Sequence, residues 1–214
     1  MIRPSAVLFD CDGVLVDSEG LVNRILAEEL TGRGWAMEGP EARERFLGMA
    51  WPDIRVAIET RTGGLPAGWE GSFAHRVART LATEALPIPG ALEALHAVAR
   101  HLPVAVASNS SREELETKLA VLELGAVFGA RVFSFQDVAR PKPHPDIYLA
   151  AAQSCGAEPG QCVVIEDSVT GVRAGRAAGC RVLGFAHETP VEALAMAGAE
   201  VFTSMAALPR LLGV

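Results

Sequence analysis

The stretch AVLFDCDGVLVDS (residues 6–18) decides the fold, because an apolar run ends there in two closely spaced acids. The run AVLFD (6–10) predicts a strand buried on both faces. Asp10 and Asp12 stand at its end, and Gly13 follows, where a side chain would obstruct a tight turn. Two carboxylates at the end of a buried strand need a compensating charge, so the segment predicts both a central strand and a site.

Further strands and helices alternate along the rest of the chain. Four more apolar runs predict buried strands at residues 103–108, 130–134, 161–167 and 180–185. The patterns between them predict helices at residues 111–125, 146–156 and 168–179. In the last of these, Gly171 and Gly175 would let the helix lie close to the sheet. This alternation predicts an α/β fold with a doubly wound, mostly parallel sheet.

One long region interrupts the alternation. From about Ser18 to Leu86 the sequence holds amphipathic helical patterns and no strand-like run. We therefore expect a helical insert placed directly after the first strand. The predicted boundaries are residues 1–16 and 87–214 for an α/β catalytic core and residues 17–86 for the insert.

Composition limits the classes of partner. Half of the 214 residues are hydrophobic, which predicts a packed core, and the formal net charge is −7. That charge argues against nucleic acid or an anionic membrane as a partner. No segment approaches the roughly 18 apolar residues of a membrane span. We expect a soluble, cytoplasmic protein that is a monomer or a weak homodimer.

Polar residues stand at the ends of the predicted strands, where ligands bind in open α/β sheets. Ser108 and Asn109 end the second strand, Glu166 and Asp167 end the fourth, and Lys142 lies between two prolines. Carboxylates brought close together repel unless one holds a proton or a hard cation lies among them. Mg²⁺ prefers carboxylates, waters and phosphate oxygens. The pattern predicts a Mg²⁺ site that acts on a small-molecule phosphate ester.

The residue types suit phosphoryl transfer through a covalent intermediate. Asp10 is the candidate nucleophile that would form an aspartyl phosphate. Asp12 is placed to protonate the leaving oxygen and later to activate water. Ser108 and Lys142 would donate to the phosphate oxygens.

Four segments in order, DCDGVLVDS, SNSS, KPHPD and EDSVTGVRAGRAAG, carry a family resemblance. The chain resembles the haloacid dehalogenase-like (HAD) hydrolases, in particular the group of β-phosphoglucomutases, phosphoglycolate phosphatases and sugar-phosphate phosphatases. The resemblance implies Asp10 as nucleophile and metal ligand, and Asp12 as general acid/base with its backbone carbonyl on the metal. It implies Asp167 as a further Mg²⁺ ligand, with Glu166 as a ligand or a neighbour of the ligands. The helical insert would be the family's mobile cap.

Departures from the family pattern separate its subgroups. A haloacid dehalogenase needs no second acid, so Asp12 favours phosphate chemistry. A phosphonate-cleaving relative needs a cap lysine, yet no lysine precedes Lys118. A β-phosphoglucomutase typically carries a cap His and a cap Arg where this chain has Val22 and Trp51. These absences favour hydrolysis over transfer of the phosphate between hydroxyls.

The loop FLGMAW (residues 46–51) is the candidate for substrate selection. We expect Gly48, Met49, Trp51 and Asn109 to contact the substrate, with Met49 and Trp51 covering the face of a sugar. A nearby arginine, Arg45 or Arg55, could meet a carboxylate or a hydroxyl. The alternative for Trp51 is simple packing inside the insert.

The sequence thus predicts a Mg²⁺-dependent phosphatase of a sugar, sugar-acid or polyol phosphate. Two alternatives stay open. One is a hexose-phosphate mutase of the β-phosphoglucomutase type. The other is a non-enzymatic, phospho-accepting signalling domain, since receiver domains also phosphorylate an aspartate at a strand end beside a lysine.

Overall fold

The computed structural model describes residues 3–46, 49 and 51–214. The strands are β1 (Ala6–Phe9), β2 (Val16–Asp17), β3 (Leu86–Pro87), β4 (Val104–Ser108), β5 (Val132–Ser134), β6 (Cys162–Glu166), β7 (Arg181–Phe185) and β8 (Glu200–Phe202). The helices are α1 (Glu19–Thr31), α2 (Gly39–Phe46), α3 (Trp51–Thr62), α4 (Trp69–Glu84), α5 (Ala91–Ala99), α6 (Arg112–Val121), α7 (Gly125–Phe128), α8 (Asp146–Ser154), α9 (Val169–Ala177), α10 (Val191–Ala197) and α11 (Leu208–Leu212).

A six-stranded parallel sheet in the order β5-β4-β1-β6-β7-β8 forms the centre of the molecule. Every residue of β1, β4 and β6 is buried, as the apolar runs predicted. Successive residues of β1 join different cores: Val7 and Phe9 belong to one hydrophobic cluster, and Ala6 and Leu8 to a second that includes α8 and α9. The doubly wound α/β sheet is confirmed.

The helices α1 to α4 lie between β2 and β3, and we call residues 19–84 the helical insert. The strands β2 and β3 form a two-stranded antiparallel ribbon, with Val16 opposite Pro87 and Asp17 opposite Leu86. Within the insert α1 packs on α2 and α4, and α4 also contacts α6 of the core. The helical character predicted for this region is confirmed for its described residues, while the boundaries of core and insert stay a prediction.

One predicted helix is longer than the observed one, and one observed strand was not predicted. The helix predicted at residues 111–125 ends at Val121. Glu123 adopts φ +56°, and the N–H of buried Leu124 donates to the Leu119 carbonyl at 2.8 Å. A non-glycine residue in this left-handed position ends the helix without a sequence signal. The edge strand β8, a run of three residues, was not predicted.

The predicted close approach of α9 to the sheet is confirmed. A Cβ on Gly175 would lie 2.9 Å from Val182 Cγ2 and 3.3 Å from Val164 Cβ. Only a glycine fits between the helix and these two strands. Among the helices of the described residues, none is both long and apolar enough to cross a membrane.

Candidate active site

The carboxyl ends of β1, β4 and β6 bring the predicted acids together. These strands are direct neighbours, so residues that follow them meet at one edge of the sheet. Carboxylate oxygens of Asp10, Glu166 and Asp167 all lie within 4.8 Å of one another, and all three residues are buried. The predicted convergence of these acids is confirmed.

Lys142 supplies the positive charge of this cluster. Its side chain is 4% exposed, and Nζ lies 2.6 Å from Asp10 Oδ1 and 2.6 Å from Glu166 Oε1. A third bond runs to the Ala107 carbonyl at 2.9 Å. Burial lowers the pKa of Lys142, but the charges of Asp10 and Glu166 outweigh it, so the pKa lies above its ordinary value. Lys142 is therefore a permanent cation in the site.

Asn109 holds the backbone on which Lys142 stands. Its amide oxygen accepts from the Lys142 N–H at 3.1 Å, and its amide nitrogen donates to the Lys142 carbonyl at 3.3 Å. Asn109 also lines the cavity described below. Its observed role is to position the lysine segment, and its predicted contact with substrate stays a prediction.

Glu166 is fully buried in a network of donors. Oε1 accepts from Tyr148 Oη at 2.8 Å, and Oε2 accepts from the Asp167 N–H at 3.1 Å and from Ser168 Oγ at 2.9 Å. A Cβ on Gly171 would lie 1.6 Å from Oε1, so the first turn of α9 leaves room for this carboxylate. The network fixes the position of Glu166 before any ligand binds.

Gly13 makes the corresponding space for Asp167. It adopts φ +71°, and a Cβ there would lie 2.0 Å from Asp167 Oδ2. The turn after β1 therefore depends on glycine both for its backbone conformation and for the space beside the acid.

The acid cluster has an unbalanced charge. Burial and the neighbouring Glu166 raise the pKa of Asp10 well above its ordinary value, more than the Lys142 ammonium lowers it. Such a group of oxygens takes up either a proton or a cation. Three converging carboxylates with hard oxygen donors fit Mg²⁺, which prefers this ligand type.

Asp12 lies on the other side of the site, surrounded by donors. Its Oδ1 accepts from Lys118 Nζ at 2.5 Å and from Ser18 Oγ, and its Oδ2 accepts from Ser108 Oγ at 3.0 Å and Ser110 Oγ at 2.8 Å. Burial raises the pKa of Asp12. The Lys118 ammonium and the hydroxyls of Ser18 and Ser110 lower it by more than that, so that the pKa falls to about 2. Asp12 is a carboxylate in this arrangement.

Lys118 is the residue of the site that the sequence did not predict. Its side chain is 1% exposed, and Nζ also donates to Ser110 Oγ at 2.7 Å. A signal was present, because Lys118 falls on the apolar face of α6 between Leu115 and Leu119. Lysine on a core-facing stripe needs a buried partner, and here that partner is Asp12.

A cavity of about 750 Å³ opens from these acids between the sheet edge and the helical insert. Met49 and Trp51 line it, and their predicted contact with substrate stays a prediction, whereas Gly48 lies outside the described residues. Trp51 also stacks on Phe73, with ring centroids 5.1 Å apart and planes at 10°. Trp51 thus both packs inside the insert and faces the cavity.

The predicted contact of Arg45 or Arg55 with substrate stays a prediction, and in this structure both arginines have other partners. Arg45 lies over the Trp35 ring and bonds Glu41, while Arg55 bonds Glu59 at 2.8 Å. Neither arginine lines the cavity.

The comparison with known families agrees with this geometry. Residues 4–179 match the family model of haloacid dehalogenase-like hydrolases. The chain belongs to this HAD-like hydrolase family. Among curated relatives, 6-phosphogluconate phosphatase of Escherichia coli (strain K12) is 30% identical over 213 residues, which cover 99% of this chain and 96% of the relative. Hexitol phosphatase A of the same strain is 33% identical over 191 residues, 85% of this chain and 83% of the relative.

Solved structures of the HAD-like hydrolase family share the fold. A HAD family hydrolase from Deinococcus radiodurans R1, determined with bound phosphate and sodium, superposes with a TM-score of 0.77 at 36% identity. The match covers 99% of this chain and 96% of that one. The two chains therefore share the fold over almost their whole length.

Proposed function

We propose that this HAD-like hydrolase is a Mg²⁺-dependent phosphatase that cleaves a small sugar, sugar-acid or polyol phosphate through an aspartyl phosphate on Asp10. The observation that carries the proposal is the buried cluster of Asp10, Glu166 and Asp167, in which Lys142 bonds Asp10 and Glu166, and from which Asp10 and Asp167 line a cavity. The phosphatase names of relatives that match over most of their length support it.

Asp10, Asp167 and the backbone carbonyl of Asp12 would hold the Mg²⁺ ion, with Glu166 as a ligand or a neighbour of the ligands. When bound, the ion neutralises charge on the phosphate and on the acids around it. Glu166 already accepts from four donors besides Lys142, so its main effect would be to orient Lys142 and Asp167.

Asp10 would attack phosphorus while the bond from phosphorus to the ester oxygen breaks. Lys142 would orient the attacking carboxylate, which it already contacts at 2.6 Å, and stabilise negative charge on the phosphoryl oxygens. The Ser108 hydroxyl would turn toward a phosphoryl oxygen. Hydrolysis then follows when a water attacks phosphorus and the bond to Asp10 breaks.

Asp12 would give a proton to the leaving oxygen and later take one from the attacking water. Its bond to Lys118 keeps it ionised, which suits the second task and opposes the first. Asp12 must therefore leave the Lys118 ammonium before it carries a proton. The Ser18 hydroxyl, directly before α1, would link this movement to the insert.

Residues 17–86 would act as a mobile cap over the core formed by residues 1–16 and 87–214. The chain enters these residues through β2 and leaves them through β3, and the two strands pair side by side. This arrangement supports a hinge at the ribbon. Closure would bring Met49 and Trp51, and with them Gly48, against the leaving group, with Asn109 on the core side. The protein would be cytoplasmic and monomeric or weakly dimeric. The net charge of −7 argues against nucleic acid as a partner.

The two alternatives receive less support. A mutase must hold the second phosphate of a bisphosphate, and Val22 and Trp51, both uncharged, line the cavity where positive charge would be needed. A phospho-accepting signalling domain keeps its aspartyl phosphate for long periods and needs no residue such as Asp12. Rapid, Asp12-dependent loss of the aspartyl phosphate would argue for the enzyme.

Phosphate release from a panel of sugar, polyol and sugar-acid phosphates, with Mg²⁺ and with EDTA, tests the proposal. β-Glucose 1-phosphate belongs in the panel, with a readout of glucose 6-phosphate. We expect metal-dependent release from a subset of the panel. Asp10→Asn should keep the fold and lose at least about 1,000-fold in kcat, because no other group can form the covalent intermediate.

Turnover near the wild-type level in Asp10→Asn would overturn the mechanism. Conversion of β-glucose 1-phosphate to glucose 6-phosphate without phosphate release would favour the mutase instead.

A further inference from the structure

The part of the cavity that lies beyond the phosphoryl site has an unusual charge distribution. From the helical insert it is lined by apolar side chains, by Asn23 and by a single charged residue, Glu70. No described residue of the insert places a cation on this wall. The insert residues outside the description, Leu47, Gly48 and Ala50, are uncharged by sequence.

Arginines of the insert that do not line the cavity have partners of their own. Arg55 bonds Glu59 at 2.8 Å and lies 3.3 Å from Glu70, while Arg76 bonds Glu28 and Glu29. Arg33 lies over the Trp69 ring, 5.1 Å from its centroid. A substrate anion would have to displace the carboxylates of Arg55 and Arg76 to pair with them.

The core wall of the same cavity is acidic. Glu113, Glu114 and Glu116 of α6 line it, against one guanidinium, that of Arg112. Arg112 already bonds Asp137 and lies 3.8 Å from Glu116. The two lysines in the cavity are also paired, Lys142 with Asp10 and Lys118 with Asp12. Seven acidic side chains therefore line the cavity against three basic ones, so the lining carries an excess of acids.

Resting on the proposed phosphatase function, we propose that the leaving group is an uncharged polyol or sugar and that this enzyme discriminates against esters carrying a second anion. The carboxylates of the wall accept hydrogen bonds from hydroxyls, and the amides of the wall both accept from hydroxyls and donate to them. The C–H face of such a molecule packs on Trp51 and Met49. A carboxylate or second phosphate would instead meet the acidic wall without a cation to pair with.

This proposal predicts different activities toward the two kinds of ester that the relatives' names mention, a hexitol phosphate and 6-phosphogluconate. Glucitol 6-phosphate and 6-phosphogluconate share a six-carbon chain and differ at C1, which is a hydroxymethyl group in one and a carboxylate in the other. One extra negative charge near like charges is disfavoured by roughly a factor of ten or more in a partly solvated site. The ratio of the two kcat/KM values therefore measures how strongly the charge of the cavity lining disfavours the extra carboxylate.

The test is that ratio, measured with the full chain and Mg²⁺. We expect kcat/KM for glucitol 6-phosphate to exceed that for 6-phosphogluconate by about tenfold or more. The preference should weaken from low to high salt, because salt screens the repulsion. Both activities should vanish in Asp10→Asn, which assigns them to this site.

A pair of variants adds the missing charge. Val22 lines the cavity from α1 and is only partly buried, so Val22→Lys places an ammonium on the insert wall and Val22→Met adds similar length without charge. We expect Val22→Lys to shift the ratio about tenfold toward 6-phosphogluconate and Val22→Met to leave it near the wild-type value. The wild-type ratio tests the proposal even if a variant fails to fold.

A wild-type preference for 6-phosphogluconate, lost in Asp10→Asn, would overturn this inference and leave the phosphatase function standing. An equal shift of the ratio in Val22→Lys and Val22→Met would also overturn it. Absence of phosphate release from both esters and from the generic substrate p-nitrophenyl phosphate would overturn the proposed function itself, and the inference with it.

Discussion

At the scale of single residues, the contact between Lys118 and Asp12 joins helix α6 to the turn after β1. Lys118 and Lys142 are the only lysines of the chain, and each is paired with one of the two acids that follow β1. The two pairs differ in effect. The pKa of Asp10 is raised despite Lys142, whereas the pKa of Asp12 is lowered to about 2. The same strand end thus holds one acid that attracts a cation and one that is already neutralised.

Lys118→Met tests the second pair, because methionine keeps much of the apolar stem and removes the charge. Breaking a buried ion pair by removing one partner costs about 3–5 kcal/mol. We expect the lower end, about 3 kcal/mol in the free energy of unfolding, since Asp12 keeps three hydroxyl donors. Urea unfolding measures it. In an Asp12→Asn background the same substitution should cost much less.

The pair also has a defined pH dependence. The folded pKa of Asp12, about 2, lies below its ordinary value of 3.8, so its charge stabilises the fold above about pH 4. That contribution is lost as the pH falls toward 2. The coupling energy between Lys118 and Asp12 should therefore stay constant from pH 6 to about pH 4 and shrink as the pH falls from there toward 2. An equal cost of Lys118→Met in both backgrounds would assign the effect to packing rather than charge.

At the scale of elements, the first turn of α9 and the end of β6 fit together only through Gly171. Gly171→Ala would place a Cβ 1.6 Å from Glu166 Oε1, an atom held by Lys142 and Tyr148. Because this carboxylate cannot move away without breaking those bonds, we expect a loss of about 3 kcal/mol or more in the free energy of unfolding. Chemical denaturation measures the change.

Gly71→Ala is the matched control. Gly71 also lies in the first turn of a helix, α4, and a Cβ there meets nothing within 4 Å. The exchange should be neutral or stabilise by up to about 1 kcal/mol, through helix propensity alone. A similar small effect of Gly171→Ala would show that the Glu166 network is softer than its contacts indicate.

At the scale of the whole molecule, cation binding should stabilise the fold. A ligand of the folded state at 100 times its Kd adds about 2.7 kcal/mol, which for a chain of this size raises Tm by roughly 5–10 °C. We expect this shift with saturating Mg²⁺ in a thermal melt and its reversal by EDTA. Asp167→Asn should abolish most of it, whereas Glu192→Gln, an exposed acid on α10, should not. An unchanged shift in Asp167→Asn would place the ion elsewhere.

The sequence predicted the site residues that stand at the ends of strands. A buried strand of an open sheet ends at a known edge, so the placement of Asp10, Ser108 and Glu166 followed from the apolar runs before them. The contribution of Lys118 did not follow, because it depends on how far α6 is rotated against the turn after β1. The end of α6 was missed for a local reason, because Glu123 adopts a left-handed backbone conformation that the sequence does not signal.

The ribbon of β2 and β3 has a consequence for the evolution of this chain. Because Asp17 stands opposite Leu86, the chain enters the helical insert and leaves it at points about 5 Å apart. A segment with ends so close together can be exchanged for another of different length without changing the order of the strands that carry the acids. Recombination at these two positions would thus give an unaltered phosphoryl site a new selectivity in a single event.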